Sequence, residues 1–420
     1  MNKEQLTEIF FDQKEIFNAK KGLIDRAIDL SPYINTSQIV VITGVRRCGK
    51  SSLLFLLKQK MQLNDNAFCY FNFDDERIGN KPELLEQIDN LHKELYNKDA
   101  VLFFDEIQNI NGWEKFINRL YEQGRKIFIT GSNASLLSSE ISTTLTGRNK
   151  TLELFPFSFK EYLNFIKLEF NLKTLSANTK VRLTGAFDTY LKSGGFPMVI
   201  RENDPELLDN YFKDILYRDI IARYRISQVD EIKQLGLYFF SNIAKIFSYS
   251  TLQKITGIKS LSTVKNYLDY FSMSYLFFYL RKFDYSVKKQ ILNSRKVYSV
   301  DHGFANRLGF NFSKNRGRIL ENMVLIELLR NNKEVFYHSG KKECDFVVRQ
   351  GFQITEAIQV AYHLNKENVE REVSGLLEAM EKFNLKKGLI LTYDTDIDAA
   401  EIPETIKIIP VWKWLLTGNK

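Results

Sequence analysis

The chain has 420 residues, of which 44% are hydrophobic and 26% are charged. This composition excludes a disordered or fibrous protein and is typical of a globular one. The length predicts two to four domains. Its 59 Lys and Arg residues outnumber its 51 Asp and Glu residues by eight, an excess that is compatible with nucleic-acid binding but does not require it. The sequence begins with a charged segment, and its most apolar run, residues 275–280, is too short to span a bilayer, so we expect a cytoplasmic protein without a membrane partner.

The first predicted elements surround a glycine-rich loop. Residues 1–35 predict one or two helices that end near Ser31 and Pro32, and residues 38–43 are an apolar, β-branched run typical of a buried parallel strand. Residues 52–58 predict the helix that follows the loop. Between strand and helix, eight residues match the phosphate-binding pattern G-x-x-x-x-G-K-[ST] at every required position: Gly44, Val45, Arg46, Arg47, Cys48, Gly49, Lys50 and Ser51.

Each fixed position of this loop has a chemical reason. The two glycines let the backbone curl so that its N–H groups point at phosphate oxygens. Lys50 reaches the β- and γ-phosphates, the hydroxyl of Ser51 binds Mg²⁺, and Ser52 belongs to the helix terminus that faces the phosphates. The predicted cofactors are therefore ATP and Mg²⁺. Cys48 at this helix terminus has two interpretations, a redox-sensitive thiol or a residue that contributes only its backbone.

The next elements add two acids. Residues 67–72 predict a second strand, and a helix begins near Pro82 and ends near Asn97. Residues 100–106 form an apolar strand that ends in Asp105 and Glu106. In a phosphate-loop ATPase these positions hold Mg²⁺ through water and activate the attacking water as a general base, respectively.

The following segment predicts residues that sense the terminal phosphate. Residues 112–124 predict a helix whose apolar stripe belongs to the core, and residues 126–133 predict a buried strand ending in Ser132 and Asn133. Either side chain is placed to orient water or to contact the γ-phosphate. A Ser/Thr-rich helix then leads to Thr146 and Arg148, and this arginine is either an arginine finger for a neighbouring subunit or a surface charge.

These motifs resemble one branch of the AAA+ ATPases, in which an AAA domain precedes a C-terminal domain of unknown function. The resemblance extends over most of the chain. It implies an ATPase core at residues 1–155 and a helical lid at residues 156–229, with Arg148 as the finger and Arg218 as either a second nucleotide sensor or part of a salt bridge. Besides the loop it rests on LFFDEIQ (102–108), TGSN (130–133), LTGR (145–148), LFPFSFKEY (154–162), YLKSGGFP (190–197) and YRDI (217–220).

Residues 230–285 predict a winged helix-turn-helix. Two short helices, at residues 249–257 and 262–270, meet at a glycine turn. If this unit binds DNA, its contacts come from Lys259, Ser260, Ser262 and Lys265; alternatively it is a spacer or a protein contact. Basic stretches at residues 281–289, 295–296 and 314–318 are interleaved with aromatic residues and are compatible with a phosphate-tracking surface or with a solvated strand face.

Residues 286–420 alternate strands and helices in a way that resembles the restriction-endonuclease-like fold. In that resemblance Glu321 and Asp345 occupy two acidic positions of the nuclease site. The third position departs from the pattern, because Gln359 stands where a carboxylate is expected and Ala361 where a lysine is expected. A neutral amide is a weak ligand for Mg²⁺, so we expect a degenerate, nuclease-like binding module.

The sequence therefore predicts an α/β protein built on a P-loop NTPase sheet, with ATP hydrolysis as its activity. The sequence is compatible with three hypotheses about biological function. The first is an ATPase coupled to DNA through its C-terminal domains, and the second is a nucleotide-controlled regulatory or defence switch that binds a protein partner. The third and less favoured hypothesis is an ATP-dependent nuclease. A trans-acting Arg148 further implies a homo-oligomer.

Overall fold

The computed structural model describes residues 2–134, 145, 147–310, 316–398 and 402–417. The chain divides into two compact units. The first comprises Met1–Phe155 and Met273–Tyr275, and the second comprises Pro156–Ser272 and Leu276–Lys420. The Ser/Thr-rich helix predicted before Arg148, Thr146, and part of the basic stretch at residues 314–318 lie outside the described residues. No helix of the described part is long and apolar enough to cross a bilayer.

The first unit is a parallel sheet flanked by helices. Its elements are α1 (Lys3–Asn18), α2 (Ser31–Ile34), β1 (Ile39–Thr43), α3 (Lys50–Lys60), β2 (Phe68–Asn72), α4 (Glu83–Tyr96), β3 (Val101–Asp105), a 3₁₀ turn (Ile107–Asn109), α5 (Trp113–Glu122), β4 (Ile127–Gly131) and β5 (Asn149–Glu153).

The five strands lie in the order β2-β3-β4-β1-β5, and every pair is parallel. Strands β1 and β4 are buried at every position, because both faces of the sheet are covered, and this explains their continuous apolar runs. β4 separates β1 from β3, so the glycine-rich loop and the two acids leave neighbouring parts of the same sheet edge. The predicted parallel α/β sheet is confirmed, whereas the edge strand β5, which is half-polar, was not predicted.

The second unit contains more helices. They are α6 (Phe159–Phe165), α7 (Ala177–Ser193), α8 (Pro197–Glu202), α9 (Leu207–Asp214), a π-helical segment (Ile215–Ala222), α10 (Val229–Ser241), α11 (Tyr249–Thr256), α12 (Leu261–Met273, whose last residue belongs to the first unit), α13 (Val287–Leu292), α14 (His302–Leu308), α15 (Arg316–Arg330), α16 (Val369–Lys382) and α17 (Val411–Thr417).

A small antiparallel sheet follows α10. Its strands are β6 (Ile246–Phe247), β7 (Phe277–Arg281) and β8 (Arg295–Ser299), in the order β6-β8-β7. Helices α11 and α12 connect β6 to β7, and Gly257 has the left-handed backbone that ends α11 (φ 72°). The boundary predicted between residues 285 and 286 falls between β7 and β8, two strands that pair with each other.

The C-terminal residues form a mixed sheet. Its strands are β9 (Glu334–Ser339), β10 (Glu343–Gln350), β11 (Gln353–Leu364), β12 (Gly388–Thr395) and β13 (Ile406–Pro410), in the order β13-β12-β11-β10-β9. The pairs β9/β10 and β10/β11 are antiparallel, and the pairs β11/β12 and β12/β13 are parallel. One hydrophobic core joins this sheet and helices α15 and α17 to helices α6 and α7 of the predicted lid.

Candidate functional site

The glycine-rich loop leaves the end of β1 in a conformation that glycine alone permits. Gly44 has φ 143°, and a Cβ built there would lie 2.1 Å from the backbone oxygen of Leu154. Gly49 has φ 106° and precedes the first turn of α3. Any larger side chain at Gly44 would displace the loop from the sheet, which explains the first glycine of the pattern.

Lys50 is buried among oxygen atoms at the start of α3. Its ammonium group donates hydrogen bonds to the backbone oxygens of Gly44 (3.1 Å) and Val45 (3.3 Å). The same group forms an ion pair with Glu106 Oε1 at 3.3 Å. Loop and acid, more than 50 residues apart in sequence, are therefore in direct contact.

Glu106 is held as a carboxylate by its surroundings. Burial alone would raise its pKa, but the charges of Lys50 and Arg46 and a hydrogen bond from Gln108 outweigh burial and lower the pKa to about 2. The Gln108 amide donates to Oε2 at 2.6 Å, and the backbone N–H of Ser132 donates to the same oxygen at 3.2 Å. Glu106 is therefore ionised at neutral pH and can accept a proton.

Asp105 lies beside Glu106 and accepts two hydroxyl hydrogen bonds. The hydroxyl of Tyr70 donates to Oδ2 at 3.0 Å, and the hydroxyl of Thr130 donates to Oδ1. The Thr130 oxygen also accepts the backbone N–H of Glu106 at 3.0 Å. Tyr70 comes from β2 and was not predicted; burial and the charge of Asp105 raise its pKa well above the usual value, so it is a neutral donor.

The donor set at the loop fits Mg²⁺. Ser51 offers a hydroxyl at the first turn of α3 and Asp105 a buried carboxylate, and Mg²⁺ prefers such hard oxygen ligands together with phosphate oxygens and water. The protein side chains alone do not form a metal cage, since no group of three or more His, Cys, Asp and Glu among the described residues is arranged for one.

Two cations from the segment after α1 also contact the loop. Lys20 donates to the backbone oxygen of Ser51 at 2.8 Å. The buried guanidinium of Arg26 donates to the oxygens of Cys48 (3.1 Å) and Phe155 (2.7 Å). Neither residue could be predicted from a motif, because both donate to backbone oxygens, which every residue type offers.

The remaining loop side chains have local roles. Arg46 forms an ion pair with Asp74 at 3.1 Å, and Arg47 is held in the left-handed region with φ 70°. Cys48 is fully buried, and burial raises the pKa of its thiol. The redox interpretation of Cys48 is therefore wrong, since a reactive cysteine needs access and a lowered pKa.

The predicted sensor and finger residues lie in different places. Asn133 is fully buried after β4, next to Ser132 and hence near Glu106. Arg148 forms an ion pair with Glu122 at 3.0 Å. Its backbone oxygen accepts a hydrogen bond from the N–H of Ile39 at the start of β1, whereas the loop leaves the other end of that strand. Arg218 is exposed on the π-helical segment of the second unit.

Two of the three nuclease-like residues, Glu321 and Asp345, contact the buried Lys296, whereas Gln359 contacts the backbone of Asp345. Lys296 is 2% exposed and contacts Glu321 Oε1 (3.0 Å), Asp345 Oδ1 (3.1 Å) and Glu343 Oε1 (2.7 Å). Gln359 Oε1 accepts the backbone N–H of Asp345 at 3.2 Å. Placing Lys296 on a phosphate-tracking surface is therefore wrong, because three carboxylates hold it in the interior.

This cluster is electrostatically strained. Burial and the charge of Asp345 raise the pKa of Glu321 to about 7, although Lys296 and a hydrogen bond from Tyr298 oppose the rise. Burial alone would lower the pKa of Lys296, but the surrounding carboxylates raise it well above its usual value. Lys296 therefore remains charged and acts as the internal counter-ion of the cluster.

Comparisons with known proteins agree with the loop geometry. Residues 36–163 match the family model of an AAA domain, and residues 184–315 match a domain of unknown function, DUF8612. The uncharacterized protein MJ1544 of Methanocaldococcus jannaschii is 39% identical, with 98% of this chain and 95% of the relative covered. An uncharacterized protein of Haemophilus influenzae is 31% identical, with 94% and 99% covered.

Two solved structures show a distant similarity to this chain. The RuvB Holliday junction branch migration motor of Thermotoga maritima is 16% identical, with a TM-score of 0.28, and covers 66% of this chain and 87% of its own. AMPPCP-bound DnaA from Aquifex aeolicus is 15% identical, with a TM-score of 0.25, and covers 61% and 85%. Nothing about function follows from likenesses at these TM-scores.

Proposed function

Because the chain belongs to the same family as these archaeal and bacterial relatives and carries an AAA domain, the domain of an ATP-binding P-loop ATPase, we propose that it hydrolyses ATP with Mg²⁺ at the Gly44–Ser51 loop. One observation carries the proposal. The phosphate-binding ammonium of Lys50 and the proton-accepting carboxylate of Glu106 are 3.3 Å apart at the end of the parallel sheet.

Each residue has a defined part in this reaction. The loop backbone and Lys50 bind the phosphates, and Ser51 and Asp105 would hold Mg²⁺, which would neutralise charge on the phosphates. Glu106 takes a proton from the attacking water, and Asn133 orients the γ-phosphate. All catalysis here consists of positioning and electrostatics, as phosphoryl transfer requires.

The Lys50–Glu106 ion pair also makes the site dependent on nucleotide. While Lys50 contacts Glu106, the carboxylate is a poor base, since its pKa is about 2. Phosphate oxygens attract Lys50 away from Glu106, which raises the pKa of the carboxylate and frees it to accept a proton. Arg148 of a neighbouring copy would then complete the site, which requires a homo-oligomer, and Arg218 is proposed as a second sensor.

A binding experiment tests the proposal. ATP should raise the melting temperature of the wild-type chain, and Lys50→Ala should make the rise clearly smaller. Lys58→Ala, on the same helix, is the matched control because Lys58 pairs with Asp65 instead. An equal response of wild type and Lys50→Ala to ATP would refute the assignment of the loop.

We further propose that residues 230–299 form a winged helix that couples hydrolysis to DNA. The order strand, two helices, and two antiparallel strands, with β8 between β6 and β7, supports this fold. Lys259, Ser262 and Lys265 are exposed on or just before α12, as a recognition surface needs. Stimulation of the ATPase by duplex or single-stranded DNA that fades with salt would support coupling.

The surface between β7 and β8 favours the alternative of a protein-binding switch. Helix α13 buries only Gln290, while Val287, Ile291 and Leu292 are more than half exposed. Exposed aliphatic residues suit a protein partner better than a phosphate backbone. An ATPase that is indifferent to every nucleic acid tested would favour this function over the first.

We also propose that the C-terminal domain has a restriction-endonuclease-like fold without nuclease activity. Lys296 occupies the centre of its carboxylates, and Gln359 replaces a third acid there. A metal ion would have to displace the ammonium of Lys296. Mg²⁺-dependent DNA cleavage that Asp345→Ala removes would contradict this proposal.

A further inference from the structure

The C-terminal sheet has a groove of about 760 Å³ at one end. Three neighbouring parallel strands supply its apolar floor. Ile358 of β11 is paired in register with Leu389 of β12, and Ile409 of β13 lies two residues beyond Lys407, the register partner of Leu389. Trp414 of α17 forms part of the wall. The volume falls in the range of small-molecule sites, roughly 300–1,000 Å³.

Four lysines line this groove: Lys333, Lys387, Lys407 and Lys413. Its single acid, Glu356, is already paired with Lys333 at 2.9 Å. The other three lysines are exposed, and no carboxylate among the described residues forms an ion pair with them. The described lining residues therefore carry an unneutralised positive charge of about three, with one charge counted per lysine.

Three like charges around one concavity attract an anion to it. The register of strands β12 and β13 explains why the three lysines lie close together. Lys407 stands directly beside Leu389 on the adjacent strand, Lys387 precedes Leu389 by two residues, and Lys413 follows from the helix after β13. Three separate elements therefore present ammonium groups to one concavity.

We propose that this groove is a binding site for a small phosphorylated molecule with an apolar or aromatic part, such as a nucleotide. Lys387, Lys407 and Lys413 bind its phosphate oxygens, and the floor residues contact its apolar part. The concave shape favours a small ligand over a nucleic-acid strand, which needs an extended basic track. This site belongs to the second unit, whereas the Gly44–Ser51 loop belongs to the first.

The experiment uses the full chain with Lys50→Ala, so that the loop no longer binds nucleotide. Isothermal titration with pyrophosphate measures the contribution of charge, and titration with ADP adds the apolar part. We expect both to bind, ADP more tightly. Lys387→Glu with Lys407→Glu should weaken both by at least about 100-fold, at roughly tenfold or more per lost charged hydrogen bond.

The matched control is Lys366→Glu with Lys386→Glu, which makes the same change in net charge at exposed lysines outside the groove. It should leave the affinity unchanged. If the glutamate variant unfolds early in a thermal scan, Lys387→Met with Lys407→Met replaces it. The proposal is overturned if neither probe binds, if both variants and the control bind equally, or if only single-stranded DNA binds. If the Gly44–Ser51 loop of the wild-type chain does not bind ATP, the proposed function is overturned and the proposal for the groove is not affected.

Discussion

Glu106→Gln is the substitution whose consequences the structure defines most fully. The amide keeps the shape of the side chain but cannot accept a proton from water, so kcat should fall by about 10²–10⁴-fold. ATP binding should not be lost. It should become tighter, because in the wild type the nucleotide must first break the 3.3 Å ion pair between Lys50 and Glu106.

The magnitude of the tightening follows from the pKa. A shift of Glu106 from 4.5 to about 2 corresponds to a stabilisation of its carboxylate by about 3 kcal/mol. If nucleotide binding gives up all of this energy, the dissociation constant of ATP falls in the variant by at most about 300-fold, the factor that corresponds to the full difference between the two pKa values. Partial replacement of the contact by Gln108 and Ser132 reduces the gain.

Equilibrium binding of ATP and single-turnover hydrolysis measure the two effects separately. Glu94→Gln is the control, since the Glu94 side chain is 55% exposed and forms its ion pair with Lys3. The reasoning is refuted if Glu106→Gln binds ATP more weakly than the wild type or hydrolyses it at the wild-type rate.

The ion pair between Lys50 and Glu106 predicts that the free energy of unfolding depends on pH. The pKa of Glu106 is depressed in the folded chain, so its stabilising contribution is present above pH 4.5 and is lost as the pH falls through about 2. The difference in unfolding free energy between the wild type and Glu106→Gln should therefore shrink between these pH values. A difference that is constant over this range would show that the ion pair does not stabilise the carboxylate.

Three further substitutions give separate tests. Tyr70→Phe removes the hydroxyl that donates to Asp105 at 3.0 Å and should raise the Mg²⁺ concentration for half-maximal hydrolysis by about 10–100-fold without changing metal-free ATP binding; an unchanged Mg²⁺ dependence would contradict it. Arg148→Ala should lower kcat by about 10³-fold or more while ATP binding persists, and an unaltered rate would leave Arg148 as a surface charge paired with Glu122. Lys296→Met leaves three carboxylates without their counter-ion and should reduce the unfolding free energy by about 3–5 kcal/mol in denaturant titrations, whereas exposed Lys288→Met should not.

The sequence predicted the parts of the site whose chemistry fixes residue type. Gly44, Lys50 and Glu106 could be named from the sequence because the hypothesis of phosphate binding and proton transfer demands particular side chains at a particular spacing. Lys20 and Arg26 were missed because they bind backbone oxygens, which any residue offers. Tyr70 could not be recognised as a site residue from the sequence because it belongs to an apolar strand, where a tyrosine is usually a core residue.

Long-range contacts explain the other differences. Lys296 follows Arg295 in a basic stretch and looks like a surface residue, but its partners Glu321 and Asp345 are 25 and 49 residues away. Pairing of β8 with β6 and β7 is likewise decided by tertiary structure. Neither local propensity nor charge patterning contains this information.

A structure of the full chain with a non-hydrolysable ATP analogue and Mg²⁺ would locate the bound phosphates. We expect phosphates in the Gly44–Ser51 loop in contact with Lys50, and a distance from Lys50 to Glu106 greater than the 3.3 Å observed here. A loop without bound analogue, or an analogue in the loop with the Lys50–Glu106 ion pair intact, would contradict ATP hydrolysis at this site.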